Sequence, residues 1–273
     1  MGIRSLTRDA NTKSKKTLKG KFKPSAAAER QFAKSLKKIA RASAHIIEQG
    51  TYGHNNGVGF QLDPSVQREL EAYSKKLGPW ARTQSAKLLE QVQRSNKRAY
   101  NNKSKAIGVA ITLEANDSHI GIVARALMEE QVALIKSIPI EAGRRAQDIA
   151  LKSVLAGTRA TPDEDTIAEL QKQMGMTEEV AVNRAKLIAR TETARANAAI
   201  NQARAMSVGS NQYRWHNSGD AAVRHSHKFL RGKRLQGMIF SWDDPPTLDD
   251  GMTGHPGTFP NCRCFAEPVF DTE

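Results

Sequence analysis

Apolar residues recur at helical spacing along the first two hundred residues of this chain. A typical stripe is formed by Phe32, Leu36 and Ile39, and Ser25 is a suitable N-cap for the helix they predict. The same reasoning predicts helices over residues 25–49, 64–77, 80–100, 115–136, 140–156, 162–174 and 177–206. Proline, glycine and asparagine interrupt helices or favour turns. They place helix ends at Gly78-Pro79, Asn101-Asn102 and Ile138-Pro139.

Helical periodicity stops near residue 211, where glycine, proline and aromatic residues become frequent. Three short strands are predicted there, over residues 212–216, 238–242 and 263–270. A core of this size is marginal by itself, so we expect the module to depend on the preceding helix or on a metal ion. The predicted fold is mainly α with a small C-terminal α+β module. Its predicted parts are a basic, disordered tail (1–24), a basic helical region (25–176) and a C-terminal module (177–273) that opens with the long helix 177–206.

The composition agrees with a helix-rich chain and excludes several other classes of protein. Apolar residues make up 39% and aromatic residues 5% of the 273 residues, which is low for a β-sandwich. No run approaches the roughly 18 consecutive apolar residues of a membrane span. We therefore expect no membrane partner.

The net charge of +14 is concentrated in one part of the chain. Residues 1–110 hold 23 Lys and Arg against 7 Asp and Glu, a charge of +16, and the remaining residues hold 19 against 21. Such asymmetry indicates a polyanionic partner, although a tail of this kind also serves solubility alone. The candidate contacts with DNA or an acidic protein surface are Lys13, Lys15, Lys16, Lys19, Lys21, Lys23, Lys37, Lys38, Arg41, Arg94, Lys97 and Arg98.

Two cysteines and several histidines near the C-terminus suggest a zinc site. Thiolate and imidazole are good zinc ligands, and Cys262 and Cys264 share one face if their segment is extended. His225 and His227 share a face only on a strand, so in a helix only one of them can bind. The predicted set is Cys262, Cys264, His227 and one of Asp220, His216 or His255. The alternatives are two small buried thiols, or a disulfide closing a tight ring.

Two other interpretations of the same residues remain open. In the first, the module is a metal-dependent nuclease or other hydrolase, with His227 as base and a cluster of aspartates holding the ion. In the second, Asp220, Arg224 and His227 form a buried network with residues 190–192 that ties the small sheet to the long helix.

Several short motifs in a fixed order resemble the phage head morphogenesis family of Mu F-like minor head proteins. The resemblance covers roughly residues 180–270. It begins with the Arg-Thr-Glu sequence of the long helix, includes Asn-Cys-Arg-Cys and ends with Pro268-Val269. The matching positions are Arg190, Glu192, Trp215, Asp220, Arg224, His227, Gly232, Asn261, Cys262 and Cys264.

The resemblance implies a structural protein of a tailed phage rather than an enzyme. Such proteins are made in the host cytoplasm, join the portal during procapsid assembly, and remain in the virion head with the DNA. They influence genome packaging or ejection. The implied partners are the portal protein and double-stranded DNA, with the scaffold or major capsid protein as further candidates.

Overall fold

The structure, a computed structural model, describes residues 22–53, 59–108, 111, 117–158 and 163–270. The helices in this part of the chain are α1 (Ala26–Gln49), α2 (Pro64–Lys76), α3 (Gly78–Ile107), α4 (Asp117–Gly157), α5 (Glu164–Gly175), α6 (Thr177–Ser207) and α7 (His225–Lys228). The strands are β1 (Thr51–Tyr52), β2 (Gln61–Leu62), β3 (Gln212–His216), β4 (Phe229–Leu230), β5 (Lys233–Arg234), β6 (Ile239–Ser241) and β7 (Phe265–Val269). The predicted fold class, mainly α with a small C-terminal α+β module, is confirmed.

Aspartate caps begin two of the helices. Asp63 accepts a hydrogen bond from the backbone N–H of Ser65 at 2.7 Å, and Pro64 occupies the first helical position. Asp163 accepts one from the N–H of Thr166 at 3.0 Å. Both side chains satisfy backbone donors that lack a partner within the helix. The bond to Ser65 also lowers the pKa of the Asp63 carboxyl.

The predicted end of a helix at Asn101-Asn102 is wrong, because α3 continues to Ile107. Its inner face remains buried on both sides of the two asparagines, through Ala99, Tyr100 and Lys103. Asn101 and Asn102 themselves lie on the exposed face. Burial of the opposite face therefore outweighs the turn preference of asparagine.

The predicted break at Ile138-Pro139 is also wrong, since α4 contains Pro139 in its interior. A continuous buried stripe runs past the proline and includes Ile135, Ile138, Ala142 and Ala146. Proline in a helix interior costs about 3 kcal/mol. Burial of this stripe offsets the cost of Pro139. The spacing of residues in the sequence does not show that the stripe is buried.

The described residues divide into two compact units. The first, here called the aliphatic unit, contains residues 30–86 and 129–189. Its core is formed by Ile47, Phe60, Val66, Leu70, Ala142, Ala146, Ile149, Ala150, Leu170 and Met174. Within this unit β1 pairs antiparallel with β2, between α1 and α2.

The second unit, here called the aromatic unit, contains the described residues of 22–29, 87–128 and 190–270. Its sheet has the order β6-β3-β7, with antiparallel pairing throughout. The central strand places Trp215 opposite Ala266, and Tyr213 between Phe240 and Pro268. Both β3 aromatic residues have no exposed surface.

The prediction of a disordered tail reaching residue 24 is wrong at its C-terminal end. Phe22 is 1% exposed and packs edge-to-face on Tyr100, with 5.3 Å between ring centroids. Its carbonyl accepts a hydrogen bond from Asn197 at 3.0 Å. The ammonium of Lys23 donates to the carbonyl of Ser218 at 3.3 Å. Residues 1–21 lie outside the described residues, and with them Lys13, Lys15, Lys16, Lys19 and Lys21.

A chain of buried polar groups connects α3 to the sheet of the aromatic unit. Lys103 donates to Glu267 on β7 at 3.2 Å, and His216 Nε2 lies 2.7 Å from the other carboxylate oxygen. Gln236 donates to His216 Nδ1 at 2.7 Å, and its oxygen accepts from the N–H of Asn217 at 2.8 Å. These bonds assign the His216 proton to Nε2, which donates to Glu267.

Candidate metal centre

A histidine and two cysteines converge in the interior of the aromatic unit. His227 lies on the short helix α7, and Cys262 and Cys264 lie just before β7. Their exposed fractions are 2%, 5% and 2%. The Nδ1 atom of His227 is 3.4 Å from the Cys262 Sγ and 3.6 Å from the Cys264 Sγ. Among the described residues, these three form the one group whose ligand atoms are close enough to hold a metal ion.

The conformation of residues 225–228 decides which histidine faces the sulfurs. This segment is a single helical turn, so His225 and His227 point in different directions. His225 is exposed and stacks on Phe229, with 5.1 Å between ring centroids. The His227 ring packs between Trp215 and Phe259, at 6.0 and 4.9 Å. The helical alternative is therefore correct, and it presents one histidine to the cysteines.

The two thiols are electrostatically unequal. The hydrogen bond between the sulfurs lowers the pKa of Cys262, with a further contribution from His227, although burial alone would raise it. The same hydrogen bond and burial raise the pKa of Cys264. The backbone N–H of Cys264 also donates to the Cys262 sulfur at 3.3 Å. The pair therefore favours one thiolate at Cys262, which is the form that binds metals.

The fourth residue of the predicted set lies beside the cluster but outside it. Asp220 forms an ion pair with Arg263 at 3.0 Å and accepts the N–H of Ala222 at 3.1 Å. Neither of the other two candidates joins the cluster. His216 is bonded to Glu267 and Gln236, and His255 lies 3.1 Å from the Tyr213 hydroxyl. The structure thus brings together three of the predicted ligands.

The segment carrying the cysteines is held by side chains from two other elements. Arg190 on α6 donates to the side-chain oxygen of Asn261 at 2.9 Å, and Thr191 accepts the N–H of Asn261 at 2.9 Å. Arg224 donates to the carbonyl of Pro260 at 2.8 Å. Asn261 has a φ of 57°, a left-handed conformation that asparagine tolerates better than most residues. These contacts orient both sulfurs toward His227.

This arrangement differs from the single buried network that was predicted. The side chains of Asp220, Arg224 and His227 do not bond to one another in any described contact, and the one bond among these residues is the helical-turn bond from the His227 N–H to the Arg224 carbonyl at 3.0 Å. Asp220 and Arg224 instead hold the cysteine segment, and His227 faces the sulfurs. The predicted link to the long helix is present, but it runs from Arg190 and Thr191 to Asn261.

A recess of about 40 Å³ adjoins the three candidate ligands. The charged side chains in its lining are Arg190, Asp220, Arg224 and Arg263. Arg190 also pairs with Glu29 at 3.3 Å. A space of this size holds one or two water molecules. The three arginines, Asp220 and Glu29 together leave one positive charge in excess, with the cysteine sulfurs not counted.

The aspartates of the nuclease hypothesis occupy turns and do not gather around His227. Asp243 and Asp244 are exposed. Asp249 accepts the N–H of Arg231 at 3.0 Å. Asp250 accepts the hydroxyl of Ser226 at 2.7 Å, which lowers the pKa of that carboxyl. Turn formation accounts for these contacts without a metal.

Comparison with known proteins finds a similarity over the C-terminal part of the chain. Residues 147–267 match the family described as "Phage Mu protein F like protein". Over these residues, here called the Phage Mu F-like region, the chain is similar to Phage Mu F-like proteins. The match confirms the resemblance to the phage head morphogenesis family.

The chain also matches a Haemophilus influenzae protein described as "Uncharacterized protein". The two are 30% identical over 277 residues, which covers 95% of this chain and 58% of the relative. The chain therefore spans little more than half of that relative's length. No solved structure matches. None of the described helices is long and apolar enough to cross a membrane.

The Phage Mu F-like region contains the three candidate ligands and the residues that position them. Of the remaining motif residues, Trp215 packs on His227, and Glu192 is 1% exposed and pairs with Arg195 at 3.1 Å. Gly232 has a φ of 75° in the turn between β4 and β5, where a side chain is strained. No comparison assigns a role to any of these residues, and their grouping rests on the geometry.

One functional residue of this region, Arg263, was missed by sequence reasoning. It lies between the two cysteines, so in an extended segment it points to the opposite face and reaches Asp220. This alternation of side-chain direction is the sequence signal that would have indicated a separate role for Arg263. Phe259, which packs on His227, has no comparable signal, because only the folded chain brings the two rings together.

The basic residues predicted to contact DNA or the portal precede the Phage Mu F-like region. Lys38 and Arg41 on α1 are exposed, and Arg41 pairs with Glu178 at 3.2 Å. Lys37 on the same helix is half-buried. Three more are exposed on the outer face of α3, namely Arg94, Lys97 and Arg98.

Proposed function

We propose that this chain is a minor head protein of a tailed phage that associates with the portal protein and with packaged double-stranded DNA. The match of residues 147–267 to Phage Mu F-like proteins carries the proposal. The protein is made in the host cytoplasm, joins the procapsid, and stays in the virion head near the portal, where it acts in genome packaging or ejection. Scaffold and major capsid protein are its further candidate partners.

The charge distribution supports DNA as one partner. Residues 1–110 carry +16, and binding to phosphates releases the counterions condensed on DNA. Few aromatic side chains are present in this part for base stacking, so the expected binding is to the backbone and independent of sequence.

Part of this charge lies on a basic face of α3 in the aromatic unit, which is the candidate DNA surface. Its exposed residues include Lys87, Arg94, Arg98 and Lys105, spaced by whole turns of the helix. Lys97 lies beside them, and Glu90 pairs with Arg94 at 3.2 Å. The face extends for about 27 Å, most of the roughly 34 Å turn of B-DNA.

DNA binding is tested with charge-neutralised variants of the full chain. We expect Arg94→Gln/Lys97→Gln/Arg98→Gln to weaken binding to a random duplex and to reduce the salt slope by up to about 3. The matched control, Arg68→Gln/Lys75→Gln/Lys76→Gln on α2, removes equal charge from another exposed helix. Equal binding by wild type and the α3 variant between 50 and 200 mM salt would exclude this face as the DNA surface.

Portal association is tested by co-expression with the portal protein of the same phage. We expect the two to co-purify at a salt concentration that removes DNA. Co-purification lost after nuclease treatment would mean that DNA bridges the two proteins, and the direct portal contact would then be wrong. Plasmid incubated in parallel with Mg²⁺, Mn²⁺ or Zn²⁺ is expected to stay intact. Cleavage abolished by His227→Ala would instead favour the nuclease hypothesis.

A further inference from the structure

We propose that His227, Cys262 and Cys264 bind one zinc ion through Nδ1 and the two Sγ atoms, and that its fourth ligand is an exchangeable water molecule in the adjoining recess. This site is independent of the proposed function in the phage head. It rests on the chemistry of the three donors, their spacing, and the surroundings of the fourth position.

The donor set selects the metal. Two thiolates and one imidazole suit zinc and other borderline-soft ions, whereas magnesium, calcium and manganese prefer oxygen ligands. All three side chains are almost completely buried, so bulk water has little access to the three donor atoms.

The spacing of the donors agrees with tetrahedral zinc. Bonds of about 2.05 Å to nitrogen and 2.3 Å to sulfur, at a tetrahedral angle, place the two donor atoms about 3.6 Å apart. The observed distances from His227 Nδ1 are 3.4 Å to Cys262 and 3.6 Å to Cys264. The side chains therefore lie at ligand positions around a common centre.

The surroundings support these positions. The cysteine segment is fixed by Arg190, Thr191 and Arg224, and the His227 ring is fixed between two aromatic rings. Metal sites commonly hold their ligands through such outer contacts.

The fourth position distinguishes this site from closed structural zinc sites, which use four protein ligands. Asp220, His216 and His255 are each engaged elsewhere. The recess lined by the three ligands has space for one or two water molecules. Zinc with two thiolates and a neutral histidine has no net charge, so the positive excess around the recess favours exchange of this water for a small anion.

Metal binding is tested on the full chain with Zn²⁺ and with Co²⁺ as a coloured substitute. Native mass spectrometry is expected to find one zinc per chain. The Co²⁺ form is expected to have visible absorption typical of tetrahedral coordination with sulfur ligands. Cys262→Ser and His227→Ala should each weaken binding by more than the 10–100-fold loss usual for outer-shell substitutions. The control His225→Ala, two residues away and exposed, should retain wild-type affinity.

The test remains decisive if a variant misfolds, because the wild-type chain supplies an independent measurement. Under reducing conditions a thiol reagent should label two cysteines in the chelator-treated protein and none after zinc is restored. Two reactive thiols in both samples, or a disulfide with no zinc uptake, would overturn the proposal.

Azide added to the Co²⁺ form tests the open position. A change in the visible spectrum is expected, since azide replaces the bound water. An unchanged spectrum at saturating azide would mean that a protein group closes the site. The exchangeable fourth ligand would then be wrong.

Discussion

The two compact units have interiors of different chemistry. The aliphatic unit is built mainly from aliphatic side chains on helices, whereas the core of the aromatic unit contains Phe22, Tyr100, Tyr213, Trp215, Trp242, Phe259 and Phe265. Their buried polar groups also differ. Among the described residues, the buried polar side chains of the aliphatic unit are neutral, and Ser43 and Ser74 donate to backbone carbonyls 4 and 62 residues away. In the aromatic unit, Lys103 reaches a carboxylate 164 residues along the chain.

This difference predicts unequal sensitivity to substitution. The hydrophobic stabilisation gained by burying an aliphatic side chain does not depend on its orientation. A helical core therefore tolerates substitutions that preserve its volume. Hydrogen bonds in a buried network and contacts between stacked rings depend on the orientation of both partners. Removing one partner of a buried hydrogen bond leaves the other unpaired, which costs stability. We therefore expect the aromatic unit to be the more easily damaged of the two.

The largest effect is expected from Trp215→Ala. This side chain has no exposed surface and packs on His227, so truncation should cost about 3–5 kcal/mol. Native-state hydrogen exchange of the β3 amides measures the loss. Ile239→Ala on the neighbouring strand, where the side chain is 44% exposed, is the matched control and should cost less than about 1 kcal/mol. Similar losses for both would contradict a rigid aromatic core.

Glu267→Gln comes next, and its effect depends on pH. Burial raises the pKa of Glu267, but the hydrogen bond from His216 and the charge of Lys103 outweigh it, so the net shift is downward. A lowered pKa stabilises the folded state above the unfolded value of 4.5, and this stability is lost as pH falls through the folded value. At pH 7 the variant should lose about 3 kcal/mol, because Lys103 keeps only a neutral partner.

The measurement is the free energy of unfolding of both proteins, freed of metal with a chelator, from pH 7 to pH 3. The difference between wild type and Glu267→Gln should be constant above about pH 5 and should shrink below 4.5. A difference that stays constant to pH 3 would mean that the carboxylate contributes no charge-dependent stability. Glu48→Gln, at an exposed glutamate of α1, is the control.

The smallest expected effect is that of Asn261→Ala, a change at a positioning residue. It removes the contact with Arg190 and strains a backbone with a φ of 57°. We expect zinc affinity to fall about 10–100-fold, with little loss of secondary structure. Asn261→Gly separates the two causes, because glycine relieves the strain but does not restore the contact. Wild-type affinity in both variants would exclude a positioning role.

Most of the helical architecture could be predicted from the sequence. Helical spacing and the Asp63 cap placed α1 and α2 within one residue of their observed bounds, and the long helix α6 was predicted over nearly its full length. The errors occurred at Asn101-Asn102 and Pro139, where local preferences opposed helix formation. Burial by distant parts of the chain decided both positions, and no local window contains that information.

The charge asymmetry, the family motifs and the candidate metal ligands follow from residue chemistry and order, which are properties of the sequence. The folded chain alone shows that His227, Cys262 and Cys264 converge while Asp220 pairs with Arg263. Convergence depends on contacts between residues far apart in sequence, such as Arg224 with Pro260 and Arg190 with Asn261, which no local stretch of sequence contains.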